Sequence, residues 1–480
     1  MAATKNSNVL LIVIDAVRAR NTDMYGPSRG VTPTISELAQ DGVVFDNTYS
    51  VWNTTDQSLT SIFTGKYPIS HGIIHHGDRV TPENLLTFQK TGTRTLAQIL
   101  KNHGYKTMAV DWMGRWFKLG FDEYGIRRRH GLATKSALYL KYMLDHRDIF
   151  REYAGARTFR LPSPKDLKGV LATFLFTREL AEIQDASLIT DSAIESIKKA
   201  DGKSFFLFVH YWDTHTPYHC PKRFQTYTGG DREKRLTDRY VGAIRYVDEQ
   251  LKRLFGTLKE RGMWEDTLII VTSDHGESLI EHDIFFDHHG LYDVTTHVPL
   301  VLHHPSVFSI PRRVGGLVQH TDLVPTILDV LGIDEGVPGC DGRSLVPLVR
   351  GNVAEIRPFT YSEESYVQKK RAIRNGRHKY IQAVDGVGFC SYCQKVHSGP
   401  EELYDLEYDP SEKANIINQE PEVHQTLKRQ LEDFVAELTL RRQEQIEANG
   451  IERSEREPWT YSAEEQKEIE KRLRGFGYMD

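Results

Sequence analysis

Thr272-Ser273-Asp274-His275-Gly276-Glu277 follows directly on the apolar run 268–271, and no other stretch of the chain concentrates as much potential chemistry. A strand that ends in adjacent carboxylate and imidazole side chains delivers two metal ligands of different hardness to the carboxyl edge of a parallel sheet, where open α/β sheets bind their ligands. The N-terminus repeats the device. Residues 9–14 are continuously apolar and rich in β-branched side chains, as in a strand buried on both faces, and Asp15 comes next. Taken singly, Asp15 also suits a helix cap and Asp274 a turn; taken together, two strand tips offer two carboxylates. A third point is the polar run Asn53-Thr54-Thr55-Asp56 ahead of a helical pattern at 58–63. A hydroxyl there stands at the positive end of a helix dipole among free N–H groups, which stabilises an alkoxide or anionic oxygen, although Thr54 or Thr55 also suits a plain N-cap.

Positioning these groups requires strands that share an edge, and the chain supplies them by alternating apolar strand patterns with helical ones. Helical spacing covers 33–41, 95–103, 240–261 and 322–331, with Gly104 and Gly262 as stops; strand patterns cover 43–48, 106–111, 205–210 and 298–303. The middle carries helical spacing at 132–153 and 175–199 around a Pro-containing basic segment, 157–168, which reads as an insertion or lid. From about residue 357 the pattern changes to short strands (371–373, 379–382), a charged helix at 421–447 and a last helix at 463–473. The expected fold is α/β: a mostly parallel central sheet with helices on both faces in residues 1–350, including a helical insertion at 130–200, followed by a smaller α+β unit with a helical tail in 351–480.

A chain of 480 residues is long enough for one large core and an appended smaller one. Its formal charge of -5 argues for no nucleic-acid surface. No apolar stretch approaches bilayer length and residues 1–7 lead straight into a strand, so the expectation is a cytoplasmic protein without a membrane segment. Four cysteines make no disulfide framework; Cys390 and Cys393, with His397 nearby, suit an incidental hairpin pair or a zinc or redox pair lacking its second half. Oligomeric state stays open, since the last helix suits a subunit contact as well as packing on its own domain.

Taken in order, NVLLIVIDAVRARNTDMY (8–25), TDQSLTSIFTGKYP (55–68), FFLFVHYWDTHTPY (205–218), TSDHGE (272–277), FDHHGLYDVTTHVPL (286–300), HTDLVPTILDVL (320–331) and LYDLEYDP (403–410) resemble the successive landmarks of the sulfatase family, within the alkaline phosphatase superfamily. The ending at 473–478 is similar to that of many members. Sulfatases carry a Cys or Ser, oxidised to formylglycine, ten positions before the glycine of a Leu-Thr-Gly-like end. Counting back from Gly65 reaches Thr55, with Gln57 in place of the motif proline, Leu59 in place of its arginine, and Ser58 retained. Threonine cannot become that aldehyde. The chain resembles instead the branches in which an unmodified threonine attacks phosphorus, such as nucleotide phosphodiesterases and phosphoethanolamine or phosphoglycerol transferases.

The resemblance implies a divalent cation held by Asp15, Asp274, His275 and the Thr55 oxygen, which ionises that hydroxyl as a nucleophile. A mixed oxygen and nitrogen shell favours manganese or zinc, with calcium or magnesium possible; Ala16 stands where calcium-binding members place a further carboxylate. It also places His215 at the leaving group, His288 where sulfatases have a lysine beside the substrate anion, and Arg115 where they have another cation. Arg18, behind Asp15, reaches the same anion or is merely solvated. His210, His289, His297 and His303 read as satisfied core histidines, and His71 with the His75-His76 pair as pocket or surface-turn residues. The expected activity is hydrolysis of a small anionic phosphoric ester, a diester or phosphonate monoester, through catalytic Thr55, His215 and His288. The alternatives are a sulfuric ester hydrolase and a metal-retaining homologue without catalysis.

Overall fold

The computed structural model describes residues 7–26, 30–126, 185–200, 202–226, 229–308, 312–365, 368–386, 396–397 and 399–449. The expected helices at 132–153 and 463–473, the segment 157–168, the start of the helix at 175–199, the ending at 473–478 and the Cys390/Cys393 pair lie outside these residues.

An eight-stranded sheet has the order β4-β3-β5-β1-β6-β7-β2-β8, with β1 Asn8–Ile14, β2 Val43–Tyr49, β3 Lys106–Val110, β4 Glu123–Tyr124, β5 Phe205–Tyr211, β6 Thr267–Thr272, β7 Leu300–His303 and β8 Arg312–Gln319. All neighbours are parallel except at β7, which runs against both β6 and β2. Seven strands therefore end at one edge, and β1 lies in the middle with Val13 beside both His210 and Thr272.

Period-two alternation divides the core. Val9, Leu11 and Val13 with Phe206, Phe208, Leu268 and Ile270 face the helices Thr55–Thr64, Leu96–Asn102 and Leu323–Leu331. Leu10, Ile12 and Ile14 with Leu207, Val209, Ile269 and Val271 face Pro33–Gln40, Ala186–Lys198 and Arg232–Glu260. Both faces being covered explains why β1 is apolar throughout. The helix expected at 240–261 begins instead at Arg232, because Asp231 caps it by accepting the amide of Lys234, although its first two turns are nearly all charged.

The second sheet is antiparallel, in the order β12-β11-β10-β9, with β9 Thr360–Glu364, β10 Lys370–Arg374, β11 His378–Ala383 and β12 Glu401–Asp405. Tyr361, Ile373, Tyr380 and Leu403 pack with Val51, Trp52, Tyr67 and Ile69 and with Leu427, Leu431 and Leu438 of the tail helix Pro421–Asn449. Its other face, through Ala372, Ile381 and Tyr404, packs on Ile284, Leu291, Tyr292 and Val294. The small sheet is thus wedged between the segment leading into the Thr55 helix and the loop that carries His288. Among the described residues no helix is long and apolar enough to cross a membrane.

One buried carboxylate ties two helices of the second face together. Both oxygens of Asp248 accept helix N-terminal amides, from Thr34 at 2.9 Å and Ile35 at 2.9 Å, while burial pushes its pKa up to about 6. Asp248→Ala leaves two buried N–H groups unpaired, which should cost about 1–3 kcal/mol. The expected readout is a lower thermal midpoint with faster hydrogen exchange at Thr34 and Ile35; unchanged protection there contradicts the assignment.

Candidate active site at the carboxyl edge

Asp15, Asp274 and His275 are fully buried, and one ligand atom from each converges within 4.8 Å of the others. Asp274 Oδ1 is occupied by the amides of Ala16 at 3.2 Å and His275 at 2.9 Å, which aims Oδ2 into the site. His275 directs Nδ1 at the Gly276 carbonyl, 2.8 Å away; that contact assigns the proton to Nδ1 and leaves the Nε2 lone pair toward Asp274 Oδ2, at 3.4 Å. Thr55 opens a ten-residue helix that is buried along its whole length and closed by Gly65 at φ 67. Its Oγ1 lies 3.3 Å from Asp15 Oδ2 and 3.4 Å from His275 Nε2.

Three buried atoms at this centre are left unpaired by the protein. Asp15 Oδ1, Asp274 Oδ2 and His210 Nε2 have no hydrogen-bond partner, although buried polar groups are almost always paired. Burial, followed by the charges of Asp274 and Glu277, pushes the Asp15 carboxyl well up. Burial would raise Asp274 too, but His275 and His210 outweigh it and hold it below the usual range. Two carboxylate oxygens from Asp15 and Asp274 and the His275 nitrogen fit a divalent cation.

His210 departs from expectation. Its ring belongs to the face covered by the Thr55 helix, with Nδ1 3.1 Å from Asp111 Oδ1 and Nε2 3.7 Å from Asp15 Oδ2. Trp212 Nε1 also approaches Nδ1, at 2.9 Å, and one ring nitrogen cannot serve both. The charge-assisted bond to Asp111 is the stronger and assigns the proton to Nδ1. Asp111 stands just beyond β3 as Asp15 does beyond β1, so a third strand-tip carboxylate was open to the same reading. His297 meets the core expectation, stacking on Tyr49 at 5.0 Å with Nε2 2.9 Å from the Asp46 carbonyl; His303 is buried against Trp264 at 4.7 Å, but its Nδ1 has no hydrogen-bond partner. His289 pairs with Asp287 at 3.1 Å.

His288 and His215 lie beside this centre, with ring centroids 4.6 Å from His275 for His288 and 6.0 Å between the two. Burial lowers both to about 4, so both rings are neutral near pH 7. His215 turns Nδ1 to the Thr216 carbonyl at 2.9 Å. His288 Nδ1 lies 3.6 Å from Glu277 and 3.6 Å from Asp287, while its Nε2 has no partner. Glu277, to which no role was attached, receives the Tyr218 hydroxyl at 2.5 Å, and burial raises it to about 7. Asn53 Nδ2 fixes the His288 loop through the carbonyl of His288 at 2.8 Å and Glu364 of β9 at 2.6 Å.

The two arginines are engaged elsewhere. Arg18 binds Glu281 at 2.8 Å and Asn21 at 2.7 Å. Arg115 binds Asp56 at 3.0 Å and the Gly77 carbonyl at 2.9 Å. Burial would raise Asp56, but Arg115, His76 and the Gly77 amide hold it below the usual carboxylate range. His71 lies behind the helix, 3.2 Å from Ser61, and His75 faces Asn84.

Two outcomes are expected. In metal-free protein, saturating manganese or zinc raises the thermal midpoint, an ion at 100 times its dissociation constant being worth about 2.7 kcal/mol. Asp15→Asn or Asp274→Asn diminishes that shift; a shift undiminished in both places the ion elsewhere. Arg115→Met strands Asp56 and costs about 3–5 kcal/mol of stability. Combining it with Asp56→Asn recovers much of that, whereas a substrate-binding arginine would show in KM alone.

Known proteins bear on this geometry. Residues 7–333 match the family described as Sulfatase, and residues 281–438 match N-sulphoglucosamine sulphohydrolase, C-terminal. The arylsulfatase of Clostridium perfringens (strain 13 / Type A) is 24% identical over 86% of this chain and 90% of its own length. The multifunctional alkaline phosphatase superfamily protein PehA of Trinickia caryophylli is 25% identical over 85% and 91%. The structure of the phosphonate monoester hydrolase SpPMH from Silicibacter pomeroyi shares the fold, with a TM-score of 0.65 at 22% identity, covering 90% of this chain and 96% of that one. With a family match across most of its length, the chain belongs to the sulfatase family of the alkaline phosphatase superfamily, and is an ester hydrolase.

Proposed function

We propose that the protein hydrolyses a phosphoric ester, a diester or phosphonate monoester, with Thr55 as nucleophile. The observation that carries this reading is the placement of Thr55 Oγ1 at a helix N-terminus, 3.3 Å from Asp15 and 3.4 Å from His275. A manganese or zinc ion held by Asp15, Asp274, His275 and the threonine oxygen would supply a lowered hydroxyl pKa and compensation for charge on the substrate's non-bridging oxygens. Thr55 attacks in line: its O–H proton passes to a neutral imidazole, the Oγ–P bond forms, and the bond to the leaving oxygen breaks. His215 and His288 are the proton acceptors at hand and, once protonated, the donors to the departing oxygen.

The resulting threonine ester has no second hydroxyl on the carbon that carries it. It cannot be expelled as an aldehyde, so water must attack the phosphorus. This requirement supports phosphorus over sulfur. The sulfatase relatives favour a sulfate monoester as the second reading.

Aryl phosphodiester, aryl phosphonate and aryl sulfate esters, assayed with manganese and with zinc, separate the readings. Thr55→Ala should lower turnover of the preferred ester by about 10³-fold or more, while Thr55→Ser retains measurable activity. Preference for the sulfate ester overturns the phosphorus reading. Equal inertness of wild type and Thr55→Ala leaves a binder that has lost catalysis.

A further inference from the structure

On the small sheet, β11 begins with His378 and β12 ends with Asp405, and the antiparallel register sets these two residues opposite each other. Opposed residues on adjacent strands project to the same side. Glu420, immediately before the tail helix, closes a third side. His378 Nε2 lies 3.3 Å from Glu420 Oε2 and 3.8 Å from Asp405 Oδ2, and one ligand atom from each of the three residues falls within 4.8 Å of the others.

The second observation is the histidine itself. His378 is only 9% exposed, and its buried Nε2 has no hydrogen-bond partner, because neither nearby carboxylate meets it in hydrogen-bonding geometry. An unpaired ring nitrogen converging with two carboxylate oxygens, of which Asp405 Oδ2 also accepts from Arg377 at 2.6 and 2.9 Å, suits three bonds to one small cation, with a water as fourth ligand. Such bonds of about 2.0–2.2 Å need only a slight contraction of the cluster. The local charge agrees. Among the described residues, Asp405 and Glu407 share one guanidinium, Arg377, which binds Asp405 at 2.6 Å and lies 3.6 Å from Glu407. Arg377 is half-exposed and competes with a cation for Asp405.

We propose that His378, Asp405 and Glu420 form a second divalent-cation site, of zinc type, that fastens the start of the tail helix to the small sheet. Its role is structural, because that helix packs through Leu427 and Leu431 on the same cluster as Trp52 and Tyr67. It does not depend on the reaction proposed for Thr55.

The test uses full-length protein stripped by chelation and titrated with zinc, with bound metal counted by elemental analysis. Wild type should bind two equivalents and His378→Gln one, with aryl-ester turnover retained; Glu420→Gln should match it if His378→Gln fails to fold. Asp274→Asn should lose the other equivalent and keep this one. Arg377→Gln should tighten binding by roughly tenfold, as removing a nearby positive charge does. A stoichiometry unchanged in both His378→Gln and Glu420→Gln overturns the proposal, and so does an affinity unmoved by Arg377→Gln.

Discussion

Two carboxylates buried without a compensating charge cannot both ionise at low cost, and the carboxyl edge of this sheet is arranged around that difficulty. Asp15 and Asp274 emerge from adjacent parallel strands on the face covered by the Thr55 helix, with unpaired oxygens aimed at each other's surroundings. A divalent ion held by Asp15, Asp274 and His275 would remove the conflict, beside the hydroxyl that opens that helix. Neighbouring groups fix the side chains of the site: the Ala16 amide orients Asp274, the Gly276 carbonyl orients His275, and Asp111 orients His210 beside them.

The small sheet takes part in this arrangement. Glu364 at the end of β9 binds both Asn53 and the Gly290 amide, so one carboxylate fixes the approach to the Thr55 helix and the loop bearing His288. Lys379 of β11, between Asp293 and Glu412, adds a buried ionic contact to the same loop. The His288 loop is thus placed by contacts from the small sheet, which explains why two sheets distant in sequence serve one site.

Much of this was legible in the residues. β1 and β6 announce themselves because strands covered on both faces are uninterrupted apolar runs, and their terminal acids stand out against them. β8, Arg-Arg-Val-Gly-Gly-Leu-Val-Gln, carries two arginines and two glycines; at the sheet edge only half of it is buried, so no apolar pattern marks it. His210 was misread for a related reason. Alternation assigns it to a buried face correctly, but a buried face near a strand tip is also the wall of the site, and only the neighbouring tips Asp15 and Asp111 reveal that. The engagement of Arg18 and Arg115 by Glu281 and Asp56 was not legible, because pairing across 263 and 59 residues leaves no local signal.

The claim beneath all of this is that one cation unites the two strand tips and the helix hydroxyl. Anomalous diffraction from crystals of the protein soaked in manganese or zinc measures it directly. The account predicts a strong peak bounded by Asp15, Asp274 and His275, with Thr55 Oγ1 about 2.0–2.2 Å away. A peak elsewhere, or one with the threonine oxygen turned away from it, contradicts the account.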